Sequence, residues 1–165
     1  MNNQIEIYSD GSCLGNQHSN AKGGYGAVVI MPECTLEVAQ GYRDTSNNRT
    51  ELRGAIAGLK VLPPGCIVTV YTDSKYVTEA FNLGWIDKWK ISGWRNSKKK
   101  PVANQDLWHE LLSVIENHAV RWQWVKGHAD SPMNNRADAL AQMAARSEAL
   151  LPDIHDTTVT IVAKY

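Results

Sequence analysis

The chain has 165 residues, with 17 Lys and Arg balanced by 17 Asp and Glu, and 43% of its residues are hydrophobic. That length fits one ordinary domain with a substantial core, and the zero net charge excludes a global pull toward nucleic acid, so any such binding must come from a local patch. Residues 1–10 carry neither a basic leader nor an apolar segment, and no apolar run is long enough to cross a bilayer, so a cytoplasmic protein with no membrane association is expected. Cys13, Cys34 and Cys66 are odd in number and lack metal-type spacing, which fits free thiols in a reducing compartment.

Three strands open the chain. Ile5 and Ile7 alternate with Glu6 and Tyr8 before a Gly11–Gly15 turn; Gly23–Gly26 leads into the apolar run Ala27–Met31, which Pro32 ends; Thr35–Tyr42 alternates again. Together they predict an antiparallel meander. Asn47 or Asn48 is expected to cap a helix whose Leu52, Ala55, Ile56, Leu59 and Leu62 follow helical spacing, and Pro63-Pro64-Gly65 stops it. Ile67–Thr72 reads as a buried strand, and Asp73-Ser74 as the cap of a helix from Lys75 to about Asn82. After Gly84 come a short helix bearing Trp85 and Trp89, a basic loop to Pro101 and an amphipathic helix through Leu107, Leu111 and Ile115. Val120–Val125 is a strand, and Asn134–Ala149 an Ala-rich helix. Pro152–Tyr165 fits either a strand over Thr157–Ala163 or a loose tail. Three strands followed by strands alternating with helices predict an α/β fold whose mixed sheet is flanked by helices.

Four acids, Asp10, Glu51, Asp73 and Asp138, are expected where a strand ends or a helix begins. Singly each has an ordinary explanation: a turn, a helix N-terminus, an N-cap or an exposed helical charge. Jointly, Asp10 and Asp73 end strands that a central sheet would set side by side, at the rim where open sheets hold their sites. Gathered carboxylates repel one another unless cations neutralise them, and hard oxygen donors suit Mg²⁺ or Mn²⁺. Paired ions of that kind drive phosphoryl transfer.

The segments Ile7–Ser12, Asn47–Leu52, Tyr71–Ser74, Val125–His128 and Asn135–Asp138, with the Trp-rich basic stretch between, closely resemble bacterial type 1 ribonuclease H in order and spacing, from about Ile5 to Ala145. The resemblance implies a ribonuclease H-like fold with a mixed five-stranded sheet, three antiparallel strands and then parallel ones. It implies a catalytic domain over residues 1–151, with 152–165 as a C-terminal extension. It also implies an endoribonuclease that hydrolyses the RNA strand of RNA/DNA hybrids with two Mg²⁺ ions, Mn²⁺ able to substitute, leaving 5′-phosphate and 3′-hydroxyl ends. On this resemblance Asp10 bridges both ions, Asp73 lies on the nucleophile side, Glu51 and Asp138 complete the coordination, and His128 aids water positioning or product departure. A monomer without an obligatory protein partner is expected.

Six basic residues and no acid lie between Lys88 and Lys100, a local positive field in a neutral chain. By resemblance this is a basic handle whose Trp85, Lys88, Trp89, Lys90, Trp94 and Lys99 meet the DNA strand, while Trp108, Trp122 and Trp124 belong to the core. Reading 2′-hydroxyls calls for short polar groups, and the family pattern assigns this to Cys13, Asn16, Asn47, Asn48 and Glu51. Lys88 and Ser46 stand where relatives often carry Asn and Thr in a pocket gripping a DNA phosphate. Rival readings are an integrase-like transferase, a junction resolvase, and a nucleic-acid-binding module without catalysis. The basic handle and the Asn47–Glu51 segment speak against the first two, and the full set of acids against the third.

Overall fold

The computed structural model describes residues 4–15, 21–127, 130–154 and 161–164. The alternation of Ile5, Ile7 and Ser9 with Glu6, Tyr8 and Asp10 makes β1 (Gln4–Leu14), which hairpins into β2 (Ala21–Ile30) and then β3 (Thr35–Thr45). β4 (Ile67–Thr72) lies parallel to β1 on its other side, and β5 (Ala119–Trp124) lies parallel to β4. The five long strands run in the order β5-β4-β1-β2-β3, three antiparallel and then two parallel in chain order, as the mixed sheet requires. Two short strands add to them, both on β3: β6 (Leu151–Pro152) pairs in parallel with it and β7 (Ile161–Lys164) antiparallel.

One detail of register opens the functional end of the sheet. Pairing between β1 and β4 stops at Tyr8–Tyr71, whereas β1 stays paired with β2 as far as Leu14. Asp10 therefore does not end a strand. It lies mid-strand, at the level where the parallel neighbour has peeled away.

Helix α1 (Asn47–Lys60) crosses one face of the sheet, and its Leu52, Ile56 and Leu59 join Ile5, Ile7 and Val70 in the main core. Its N-cap is Ser46 rather than Asn47 or Asn48. Ser46 is extended (φ −138°, ψ 164°) and its hydroxyl accepts the Arg49 N–H at 3.3 Å, whereas Asn47 is already helical. The contact between β1 and this helix start is close: a Cβ on Gly11 would sit 2.6 Å from the Glu51 nitrogen.

Helices α2 (Lys75–Asn82), α3 (Trp85–Ile91) and α4 (Gln105–Ile115) follow on the same side, knit by Trp108, which is fully buried and donates from Nε1 to the Tyr76 hydroxyl at 3.1 Å. Helix α5 (Pro132–Ala145) covers the opposite face. It begins earlier than its alanines suggest, because Ser131 caps it and Pro132 takes a first-turn position that needs no N–H. Ala137, Leu140 and Ala141 press against Gly26 of β2, and Ala141, Ala144 and Ala145 against Gly24; a Cβ on Gly26 would run into the backbone of Ala137 and Ala141 and the Leu140 Cβ. That close approach explains Gly24 and Gly26 of β2 and the alanines of the helix. Asp138 consequently lies midway along α5 rather than at its start. Among the described residues no helix is long and apolar enough to cross a membrane.

Candidate active site

Four elements deliver the acids to one cleft of about 530 Å³. Asp10 projects from β1 where β4 has left; Asp73 follows the last residue of β4; Glu51 sits one turn into α1; Asp138 reaches in from α5. Oxygens of Asp10, Glu51 and Asp73 lie within 4.8 Å of one another. Asp138 lines the same cleft, and both its oxygens accept from Gln142 Nε2 at 3.0 Å, one helical turn on.

The electrostatics of this cluster are unfavourable by themselves. Burial, reinforced by the charges of Asp73 and Asp138, pushes the Asp10 carboxyl up to about 8, and only the Gly11 N–H, 2.9 Å from Oδ1, opposes the rise. Burial, followed by the charges of Asp10 and Asp73, also lifts Glu51 well above the carboxylate range. Glu51 Oε2 is buried with no hydrogen-bond partner. Crowded, desolvated and partly unsatisfied acidic oxygens are what a hard divalent cation relieves. Ligand oxygens on an octahedral Mg²⁺ with ~2.1 Å bonds stand roughly 3–4 Å apart, so small side-chain rotations close this cluster on an ion. The residues fit the metal.

Cys13, Asn47 and Asn48 line the cleft beside the acids, and burial raises the Cys13 thiol. Ser46 is outside the lining, as the helix cap. His128 and Asn16 lie outside the described residues, although the loop leading to His128 starts against Asp73: a Cβ on Gly127 would stand 2.5 Å from Asp73 Oδ2. The handle residues do not reach this cleft. Trp85, Trp89 and Trp94 are half-buried and pack in series with their rings tilted to one another, with Trp89 edge-on to Trp108 at 5.3 Å and Trp94 4.2 Å from His109. Lys88, Lys90 and Lys99 are exposed along this ridge, and Trp94 and Lys99 hold positive φ of 61° and 60°.

One tryptophan departs from expectation. Trp122 is buried against Phe81, but Trp124 is 40% exposed, at the end of β5. Its Nε1 donates to the Asp73 carbonyl at 3.0 Å and Lys75 Nζ lies 5.2 Å over its ring, so it braces the site rather than the core. Lys75 and Gln142 also line the cleft, beyond the residues expected from sequence. For Gln142 the sequence does hold a signal, its spacing of four from Asp138 on a helix.

The sequence model of the RNase H family matches residues 2–146. A ribonuclease H of Pseudoalteromonas atlantica is 50% identical over 149 residues, 90% of this chain and 95% of that protein. One from Cronobacter sakazakii is 46% identical over 157 residues, 95% and 94% of the two chains. Among solved structures, LC9-RNase H1, described as a type 1 RNase H with the type 2 active-site motif, is similar with a TM-score of 0.77 and 31% identity, over 86% of this chain and 72% of that one.

Proposed function

Since the chain belongs to the ribonuclease H family, we propose that it is an endoribonuclease that hydrolyses the RNA strand of RNA/DNA hybrids, leaving 5′-phosphate and 3′-hydroxyl ends. The observation that carries this reading is the convergence of Asp10, Glu51 and Asp73 oxygens within 4.8 Å, in a cleft that Asp138 also lines. Asp10, Glu51, Asp73 and Asp138 would hold two Mg²⁺ ions, with Mn²⁺ able to substitute. Bound there, the pair supplies Lewis-acid chemistry, activating water for in-line attack and stabilising the departing 3′ oxygen.

The protein's own contribution is orientation. The Gly11 N–H fixes one oxygen of Asp10, and Gln142 fixes both oxygens of Asp138. Asn47, Asn48, Cys13 and Glu51 would read the 2′-hydroxyls of the RNA across a shallow minor groove, and Asn16 is assigned the same role. Ser46, the cap of α1, would meet a DNA phosphate. Lys88, Lys90 and Lys99, raised on the Trp85–Trp89–Trp94 ridge, hold DNA phosphates and sugars without sequence preference. His128 serves water positioning or product departure. Residues 1–151 form the catalytic domain, with 152–165 as its extension, and the enzyme acts as a cytoplasmic monomer.

The direct test is an Asp10→Asn variant assayed on a labelled hybrid. It should lose cleavage while still binding the hybrid, and wild type in chelator should behave alike. An Asp10→Asn protein that cuts at near wild-type rate overturns the metal-site assignment.

A further inference from the structure

The C-terminal segment after α5 sets one acidic side chain against the first turns of α1. Asp153, directly after β6, has its carboxylate fully enclosed. Its Oδ2 accepts from Arg49 Nε at 2.8 Å and from the Thr45 hydroxyl at 2.5 Å; its Oδ1 accepts from Arg53 Nη2 at 2.7 Å and Arg49 Nη2 at 3.0 Å. Burial alone would raise this carboxyl, but those donors outweigh it and hold it below the ordinary range. Arg53 is 4% exposed, donates also to the Ile154 carbonyl and lies 4.4 Å over the Tyr42 ring.

Arg49 does not stop at Asp153. Its guanidinium forks onto Asp106 of α4, with Nη1–Oδ1 at 2.9 Å and Nη2–Oδ2 at 2.6 Å. One planar cation therefore joins three parts of the chain: the first turn of α1, the C-terminal segment and the start of α4. The α1 turn carries Asn47 and Asn48. The start of α4 carries the handle, since Gln105 Nε2 donates to the Trp94 carbonyl at 3.2 Å and Trp89 packs on Trp108.

We propose that Asp153 is a positioning residue, which through Arg49 sets the spacing between the RNA-reading turn of α1 and the DNA-holding handle. This rests on the assignment of those two surfaces to the hybrid. A buried ion pair is weak grounds for stability, because desolvation offsets its attraction, but its fixed geometry can specify an arrangement. A bidentate guanidinium is well suited to that, holding both carboxylates in its plane. The Arg49 and Arg53 side chains reach Asp153 from successive turns of one helix face, so the segment clamps the rotation of α1 as well as its position.

The test is steady-state cleavage of a hybrid well below the melting temperature, with hybrid affinity measured separately in chelator. Asp153→Asn should raise both KM and the chelator Kd about 5- to 20-fold while kcat stays within about twofold. Asp106→Asn should act in the same direction. The double variant should be no worse than Asp153→Asn alone, because both act through Arg49. Val29→Ala, a core substitution away from the network, serves as the control for lost stability and should leave KM unchanged. Unchanged KM and Kd in both Asp variants, an effect confined to kcat, or an equal rise in Val29→Ala would overturn the proposal. Should Asp153→Asn fail to fold, the more exposed Asp106→Asn decides by the same criteria. Wild type failing to bind or cut the hybrid would instead overturn the functional reading itself.

Discussion

Asp10 and Asp153 are two enclosed carboxylates with opposite fates, and each predicts a pH dependence. Asp10 is pushed up to about 8 by burial and by its acidic neighbours, against an ordinary value of 3.8. The folded, metal-free protein therefore holds more protons than the unfolded chain between those values, and its stability falls as pH rises through them. Asp10→Asn removes that loss. In chelator at pH 8 the variant should be more stable than wild type by up to about 5 kcal/mol, with the gap shrinking when Mg²⁺ is added, because the ion stabilises only the protein that binds it. Urea unfolding with and without metal measures both; equal stability in chelator would show that the cluster carries no strain. Asp153 is held low instead. Its contribution is fully present above the unfolded value and is lost as pH falls through the lower folded one. Asp153→Asn should accordingly flatten the acid limb of a melting-temperature profile below ~pH 4, whereas an unaltered limb would show that the Arg49 and Arg53 hydrogen bonds matter little.

At the level of elements, the proposed work of recognition is divided between the handle and the cleft. The tryptophans of α3 and its following loop are partly buried in packing, while Lys88, Lys90 and Lys99 stand exposed beside them. Changing Lys98, Lys99 and Lys100 to Ala should weaken hybrid binding at low salt and shallow the slope of log affinity against log salt by about 1 for each phosphate no longer neutralised. An unchanged slope, measured by fluorescence anisotropy in chelator, would place the DNA elsewhere. The existence of these elements was legible because their periodicity and breakers agree. Leu52, Ile56 and Leu59 mark the buried stripe of α1, and Pro63-Pro64-Gly65 marks its end. Their limits were less so. Asn47 and Asn48 both look like caps of α1 in the sequence, yet the residue with the extended backbone that caps it is Ser46. Asp138 looks like a helix start from its neighbours, yet Ser131 and Pro132 begin that helix nearly two turns earlier. Trp124 shares a strand parity with Trp122, but β5 ends there and the helical layer no longer covers it.

For the molecule as a whole, the α/β class, the antiparallel meander and the gathering of the acids could all be read from residue order. Strand neighbours are long-range facts, and so is the consequence that matters most here: β1 parts from β4 after Tyr8 while still holding β2, which opens the cleft at Asp10. The Arg49–Asp153 network is of the same kind, joining residues 104 apart with no periodic signal between them. The acids converge on one cleft, that of a metal-dependent nuclease for the RNA of a hybrid. Its sharpest test is strand-specific cleavage of an RNA·DNA hybrid, the matching RNA·RNA duplex and the matching DNA·DNA duplex, each with Mg²⁺, Mn²⁺ or chelator. Cuts are expected only in the RNA strand of the hybrid, in either metal and none in chelator. Equal cleavage of the DNA duplex, or cleavage that survives the chelator, would contradict this reading.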